Sequence, residues 1–303
     1  MSRQEQIEVC LQNARELIGI EEFEETLKSL ENYRINKERY VINHVSLPNY
    51  IWVFERGGGV STCLDIFSKY LFEAKIMEFK GKIKYFEFIP NYVLPDFPNT
   101  EITDIDNIIS DNAGHHLYFR GIACIILDNW IGKTHEEHFL KLLDYLENKN
   151  DKILSIFCVH TDDKRQIEEI ESSISSYLWY ETVRFRFPNC QELIEYLEKK
   201  FLHNTKFYLT KNAKDLLSDT LNDIIAGENF NGFVTINQLG NDILFKIMSS
   251  SAEHQIVTDN GIAKIELNAE LLSYFHKNSS YIQSLKKISK SNKSIGFITD
   301  MEK

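Results

Sequence analysis

Short runs of apolar, β-branched and aromatic residues alternate along the first part of the chain with longer stretches in which apolar positions recur every three or four residues. The runs at 50–54, 83–88, 122–127, 153–159 and 182–187 predict strands, and the periodic stretches at 62–73, 104–111, 135–147 and 164–176 predict helices. Ile122-Ala-Cys-Ile-Ile-Leu127 is apolar without interruption. A strand of that kind suits a parallel sheet covered on both faces, where neither side meets water. Right-handed crossovers between such strands give an α/β fold with a doubly wound sheet.

Pro188 closes the last run, and the pattern beyond it is helical at 191–202, 210–225 and 235–249. That shift predicts a domain boundary near 188–190. Two short runs then flank Asp259-Asn-Gly261. This is a hairpin signal, because Asn-Gly accepts the positive φ angles of a type I′ turn. Helical patterns resume at 269–276 and 281–288, and the tail from Ser289 is rich in Ser, Lys and Asn, the composition of a frayed end. No repeat of about 20–50 residues is present. The expected organisation is an N-terminal helical segment (1–45), an α/β core (46–189), a helical segment (190–250) and a C-terminal part with a hairpin, helices and a basic tail (251–303).

Composition narrows the class. A chain of 303 residues with 43% hydrophobic and 26% charged residues is an ordinary globular mix with length for about two domains. Twenty Phe, 14 Tyr and 3 Trp exclude a disordered chain. No apolar run reaches the ~18–20 residues of a membrane span, and the N-terminus lacks the apolar core of a signal peptide, so a cytoplasmic protein without membrane contact is expected. The five cysteines are odd in number, widely spaced and without a C-x-x-C, which indicates neither a disulfide framework nor a zinc ribbon. A net charge of −11 does not favour nucleic acid as the main partner.

The first strand runs into Glu55-Arg-Gly57-Gly58-Gly59-Val60-Ser61-Thr62-Cys63 and then a helix, the position of a phosphate loop in a nucleotide-binding α/β fold. A working loop reads G-x-x-x-x-G-K-[ST]. Its glycines let backbone amides wrap the phosphates, its Lys holds the β and γ phosphates, and its hydroxyl binds Mg²⁺. With Thr62 on the final [ST], Ser61 falls on the Lys, Val60 on the second Gly and Glu55 on the first, so only the hydroxyl is kept. Glu55 would repel phosphate, and Val60 does not readily take the positive φ open to Gly. Three glycines before a helix can still cradle an anion at its N-terminus. The competing reading is a plain turn.

After the third strand, Ile125-Ile-Leu127-Asp128-Asn129 has the form of a Walker B segment, with Asn129 at the position that is normally Glu. That Glu activates the attacking water, and an amide cannot take up its proton, so Asn129 argues against hydrolysis. Asp128, together with Thr62, is the candidate ligand set for Mg²⁺; the plain alternative for Asp128 is a loop or capping residue. His135-Glu-Glu-His138 has i, i+3 spacing where H-E-x-x-H has i, i+4, so a helix start capped by Thr134 is preferred to a metal site. His115-His116 reads as a solvated turn, and Lys286, Lys287, Lys290 and Lys293 as a solvated tail without interleaved aromatics.

The order of these segments resembles the AAA+ ATPases, and within them the group of stage V sporulation protein K and the CbbX-type rubisco activases. The resemblance runs from about Ala14 to Ser249. Glu16-Leu-Ile-Gly19-Ile-Glu-Glu-Phe23 is similar to the family's opening Leu-Ile-Gly-Leu turn, and Ile153–Val159 with His160-Thr161-Asp162-Asp163 to the sensor 1 strand and its acidic turn. Phe185-Arg-Phe187-Pro188-Asn189 resembles the Phe-Pro-Asp segment that leads into the family's helical lid, and Asn229-Phe-Asn-Gly232 sits where the last lid helix begins.

The resemblance implies a P-loop-type sheet, a helical lid with a small C-terminal appendage, ATP or ADP with Mg²⁺ as cofactor, and assembly into homo- or hetero-oligomers. The departures are equally specific. The segment 175–180 holds no Arg where the family places its Arg finger, and neither Val234 nor Asn237 is the basic residue expected at sensor 2. Loss of the Lys, the base and both Arg roles removes the groups that stabilise a phosphoryl-transfer transition state, of which one Arg finger alone is worth ~10³–10⁵ in rate. The sequence therefore points to a bacterial pseudo-ATPase that acts as a scaffold or regulatory subunit with an active AAA+ partner or a protein client. The alternatives are an ATP-binding ATPase with a non-standard loop, using Gly57, Gly58, Gly59, Ser61 and Thr62, and a clamp-loader-like subunit on DNA.

Overall fold

The computed structural model describes residues 2–40, 47–54, 58–77, 83–87, 121–127, 136–148, 150, 153–161, 163–202, 205, 207–227, 230–249, 256–259 and 262–287. The chain divides into two compact units, Met1–Phe187 and Pro188–Lys303.

The first unit contains α1 (Arg3–Arg15), α2 (Glu21–Tyr40), β1 (Asn49–Phe54), α3 (Val60–Glu73), β2 (Ile83–Glu87), β3 (Gly121–Ile126), α4 (Glu136–Glu147), β4 (Ile153–Val159), α5 (Lys164–Ser175) and β5 (Tyr180–Phe185). Its five strands form one parallel sheet in the order β2-β3-β4-β1-β5. The unit is thus an α/β fold with a parallel sheet flanked by helices, compatible with a P-loop-type fold. The helix expected at 104–111 lies outside the described residues.

Strand β1 explains the layers. All six of its residues are buried, as an inner strand with helices on both faces demands. Ile51 and Val53 point into a cluster with Phe157 and Val159 of β4, Leu142, Leu143 and Phe139 of α4, and Ile170 and Ile174 of α5. Tyr50, Trp52 and Phe54 point the other way. There the Trp52 ring lies 5.5 Å from Phe23 of α2, 5.5 Å from Phe67 of α3 and 5.4 Å from Phe185 of β5, centroid to centroid. The period-two alternation of a strand therefore sorts two different cores onto opposite faces of one sheet. Cys124 and Cys158 are fully buried in β3 and β4, and none of the five cysteines is in a disulfide.

Strand β5 is an edge, with only Val183 and Phe185 buried. Its outward backbone is capped from α2: the Arg184 amide donates to Glu22 Oε2 at 2.7 Å, and the Arg186 guanidinium pairs with Glu21. Carboxylates in the first turn of α2 thus favour its dipole and also cover an open strand edge.

Helices α2 and α3 are joined by a polar bridge. Arg34 donates from Nη2 and Nε to the two Glu31 oxygens at 2.6 and 2.9 Å, and the buried Tyr70 hydroxyl donates to Glu31 Oε2 at 2.9 Å. Hydrogen bonds from Arg34 hold the Glu31 carboxyl below its ordinary value of 4.5, against the opposing effect of burial. A carboxylate lowered in the folded state stabilises fully above its unfolded pKa, and that contribution disappears as pH falls through the lower folded value. Glu31→Gln is accordingly expected to lower Tm at pH 7 and to leave a flatter fall in Tm between pH 5 and pH 3 than the parent shows. Parallel Tm–pH curves for the two proteins would contradict this.

The second unit contains α6 (Cys190–Leu197), continued by a π-turn at Glu198–Leu202, then β6 (Phe207–Leu209), α7 (Lys211–Ile225), α8 (Gly232–Ser249), β7 (Ile256–Asp259), β8 (Ile262–Leu267), a 3₁₀ turn at Ser273–Phe275 and α9 (Ser280–Lys287). The expected hairpin is present, with β7 antiparallel to β8 and Asp259 opposite Ile262. Strand β6 was not expected. It lies parallel to β8, pairing Leu209 with Leu267, and joins the segments before and after residue 250 in one sheet, so residue 250 is not a structural boundary. Three residues are too few to show alternation, and their pairing partner is some sixty positions away. The helix expected at 269–276 is replaced by turns. Asn268 Oδ1 accepts from the Leu271 amide at 3.0 Å, and short i→i+3 bonds such as Phe275 N to Leu272 O at 2.8 Å bury Leu272 and Phe275.

Candidate functional site

In an open parallel sheet, ligands bind beyond the carboxyl ends of the strands, where successive connections leave toward opposite faces. Here that point lies between β1 and β4. The chain leaves β1 for α3, on the Trp52 face, and leaves β4 for α5, on the Ile51 face. The two strands end side by side, with Val53 opposite Val159. The glycine turn follows one and His160-Thr161 the other, so these two sequence candidates come after neighbouring strand ends. Phe54 ties the strand ends together: its ring stacks on Phe185 at 3.9 Å and lies 6.1 Å from the His160 ring.

The turn itself is described from Gly58 onward; Glu55, Arg56 and Gly57 lie outside the described residues. Gly59 is the N-cap of α3 and adopts φ 85° and ψ 21°, the left-handed region that glycine enters without steric cost. Val60 is the first helical residue. The positive φ therefore falls on Gly59, one residue earlier than the alignment above supposed, and the steric objection to Val60 does not arise. The shortfall lies in the first turn of α3, at the position of the loop lysine. Val60 is buried, and Ser61 and Thr62 are exposed hydroxyl residues. No cation stands in the first turn.

Gly59, the N-cap of α3, has no side chain to cap with, and the first turn carries no acidic residue. By contrast Ser2, Asp163, Asn189 and Thr210 cap α1, α5, α6 and α7. The leading amides of α3 and the positive end of its dipole have no side-chain cap among the described residues, an arrangement that suits solvent or an anion. Within the turn, the Thr62 and Cys63 amides both donate to Gly59 O, at 3.0 and 3.2 Å. The Cys63 thiol is pushed up to about 12 by burial, which leaves it unreactive.

On the β4 side, Thr161 Oγ1 accepts from the Asp163 amide at 3.0 Å, and Asp163 Oδ1 accepts from the Arg165 amide at 3.0 Å. Both side chains are used in starting α5. On the β3 side, the Leu127 amide donates to Cys158 O at 2.8 Å, which carries β3 alongside β4 to its last described residue. Asp128 and Asn129 follow immediately and lie outside the described residues, as do His115, His116, His135, Lys290 and Lys293. Among the described residues no cluster of three or more His, Cys, Asp or Glu side chains is arranged to hold a metal ion, and no helix is long and apolar enough to cross a membrane.

The second unit contains a cation that sequence reading overlooked. Asn237 Oδ1 accepts from Lys200 Nζ at 2.8 Å and from the Tyr196 hydroxyl at 2.7 Å. Lys200 also donates to the Tyr196 oxygen at 2.7 Å. An ammonium from the π-turn after α6 thus reaches the α8 position that itself lacks a basic residue. The i, i+4 spacing of Tyr196 and Lys200 was the available signal, but the contact with Asn237 joins residues far apart in the chain. A separate cavity of about 280 Å³ lies along α1 and α2, lined by Leu11, Ala14 and Leu27 with Arg15, Lys28 and Glu31, and shares no residue with the glycine turn. No protein-family model and no curated protein matches this chain.

Proposed function

We propose that this protein is a catalytically degenerate AAA+-like protein, a pseudo-ATPase that acts as a scaffold or regulatory subunit with an active AAA+ partner or a protein client. The observation that carries this reading is the first turn of α3. It stands at the switch point of a parallel sheet, where a nucleotide would bind, yet it offers the buried Val60 and the uncharged Ser61 where a triphosphate needs an ammonium. Asn129 in place of a carboxylate base supports the same reading, and so does the exposed Trp179 in a segment without an arginine. A protein that keeps the sheet and lacks the charged groups retains surface for assembly without the means to stabilise a transferring phosphoryl group.

One observation favours the alternative, an ATP-binding protein with a non-standard loop. The N-cap of α3 is a glycine, without a capping side chain and in the left-handed conformation, which suits an anion. Calorimetric titration of the full chain with Mg-ATP, beside a turnover assay, separates the two. The scaffold reading expects no heat at millimolar nucleotide and no hydrolysis above background. Low-micromolar binding supports the alternative, and turnover that disappears in Asp128→Ala overturns the pseudo-ATPase.

A further inference from the structure

We propose that α8 carries a self-complementary face through which two copies of this chain associate, with their α8 helices antiparallel. This surface belongs to the second unit and does not rest on the reading of the glycine turn. Helix α8 buries Ile236, Leu239, Gly240, Ile243 and Ile247 within its own unit. Gly240 lies so close to Phe201 that a Cβ there would sit 2.4 Å from the ring, which fixes how the helix is rotated. The opposite face presents Val234, Gln238, Asn241, Phe245 and Met248, all exposed.

The spacing of these five is four, three, four, three, the seam of a two-helix coiled coil. Exposure reaches 61% at Val234, 73% at Phe245 and 69% at Met248. None of the five is charged. The helix has two charged residues, and both are engaged: the Tyr281 hydroxyl donates to Asp242, and Lys246 Nζ sits 4.7 Å above the Tyr274 ring. In a chain of net charge −11, an uncharged strip adds no repulsion between two copies.

The order of side chains along the seam points to a second copy as the occupant. A two-fold axis crossing between Leu239 and Gly240 sets Val234 of each copy against Phe245 of the other, and Gln238 against Asn241. The Val234 and Phe245 layers meet, Met248 falls beside Asn231 at each end of the seam, and each central amide supplies a donor and an acceptor to another amide. The next antiparallel register sets Gln238 against Met248 and Asn241 against Phe245, leaving the amides facing apolar groups, so the polar pair specifies the alignment. A parallel arrangement also matches like with like but sets the two helix dipoles side by side in the same direction, which the antiparallel one avoids. Eighteen residues make a helix about 27 Å long. A contact confined to one helix of that length is small for a protein interface, so the dimer is expected to be weak.

Sedimentation of the full chain from ~1 to ~100 μM tests this, with the apparent mass expected to rise toward that of a dimer. Phe245→Asp, at a position facing solvent, is expected to keep the circular dichroism spectrum and weaken association at least ~10-fold. In a Cys190→Ser background, mixing Gln238→Cys chains with Asn241→Cys chains should give an oxidised cross-link that neither variant forms alone. A chain that remains monomeric at ~100 μM, or an oligomer that Phe245→Asp leaves intact, overturns the proposal. Cross-linking of Gln238→Cys by itself overturns the antiparallel arrangement.

Discussion

Trp52→Ala is expected to destabilise the first unit by about 3–5 kcal/mol, whereas Trp52→Phe is expected to stay within about 1.5 kcal/mol of the parent. The indole is fully buried and touches Phe23, Phe54, Phe67 and Phe185, so it links α2, α3, β1 and β5 on one face of the sheet. Removing it opens a cavity that ring neighbours fixed on four elements cannot refill. Against a typical stability of ~5–15 kcal/mol, the alanine variant approaches the unfolding threshold. Phenylalanine leaves a smaller void and also removes a cost, because Trp52 Nε1 is buried with no acceptor among the described residues. A stranded buried donor costs about 1–3 kcal/mol, which offsets part of the lost volume. Urea unfolding followed by circular dichroism, fitted with separate transitions for the two units, measures both variants. Equal losses for Phe and Ala would mean that the indole N–H has a partner.

Asn49→Ala is the second large loss expected, about 2–4 kcal/mol, for the opposite reason: here the buried polar group is fully used. Asn49 is wholly buried at the start of β1. Its Oδ1 accepts from the Ser155 amide of β4 at 2.9 Å, and its Nδ2 donates to Asn150 Oδ1 at 2.7 Å and to Trp179 O at 3.2 Å. Its own amide donates to the same Trp179 oxygen at 2.9 Å. One side chain thus joins β1 to β4 and to the lead-in of β5 at the end of the sheet opposite the glycine turn. Alanine strands the Ser155 N–H where no water reaches it. Asn49→Asp keeps that acceptor but directs a carboxylate at two other acceptors, Asn150 Oδ1 and Trp179 O. It is expected to be worse than alanine at neutral pH and to recover as pH falls and the carboxyl gains a proton to donate. Thermal melts at pH 7 and pH 5 distinguish this from a simple packing loss, which pH would not change.

The candidate site was legible in part. The Gly57-Gly58-Gly59 run after an apolar strand marked the turn, because few other patterns combine a buried strand, consecutive glycines and a helix start. Which residue takes the left-handed conformation was not legible, since it depends on where α3 closes its first hydrogen bonds; it is Gly59, and Val60 begins the helix. That the turn and His160 follow neighbouring strands could not be read from spacing either. A hundred positions separate them, and only the pairing of β1 with β4 sets them side by side. Lys200 was invisible as a partner of Asn237 for the same reason, since it arrives from another helix.

By itself the sequence determined the class of the first unit, the residues of its five strands to within two positions, the Asp259-Asn-Gly261 hairpin and the missing lysine of the glycine turn. Each is a local property: unbroken apolar runs, turn chemistry and the presence or absence of a cation are carried by neighbouring residues and survive without knowledge of the fold. The tertiary structure alone decided the strand order β2-β3-β4-β1-β5, the joining of β6 to β8 across residue 250, the capping of the β5 edge by Glu22 and the uncharged outer face of α8. These depend on which distant segments find one another, and that choice is made by burial summed over many contacts, which no window of sequence contains.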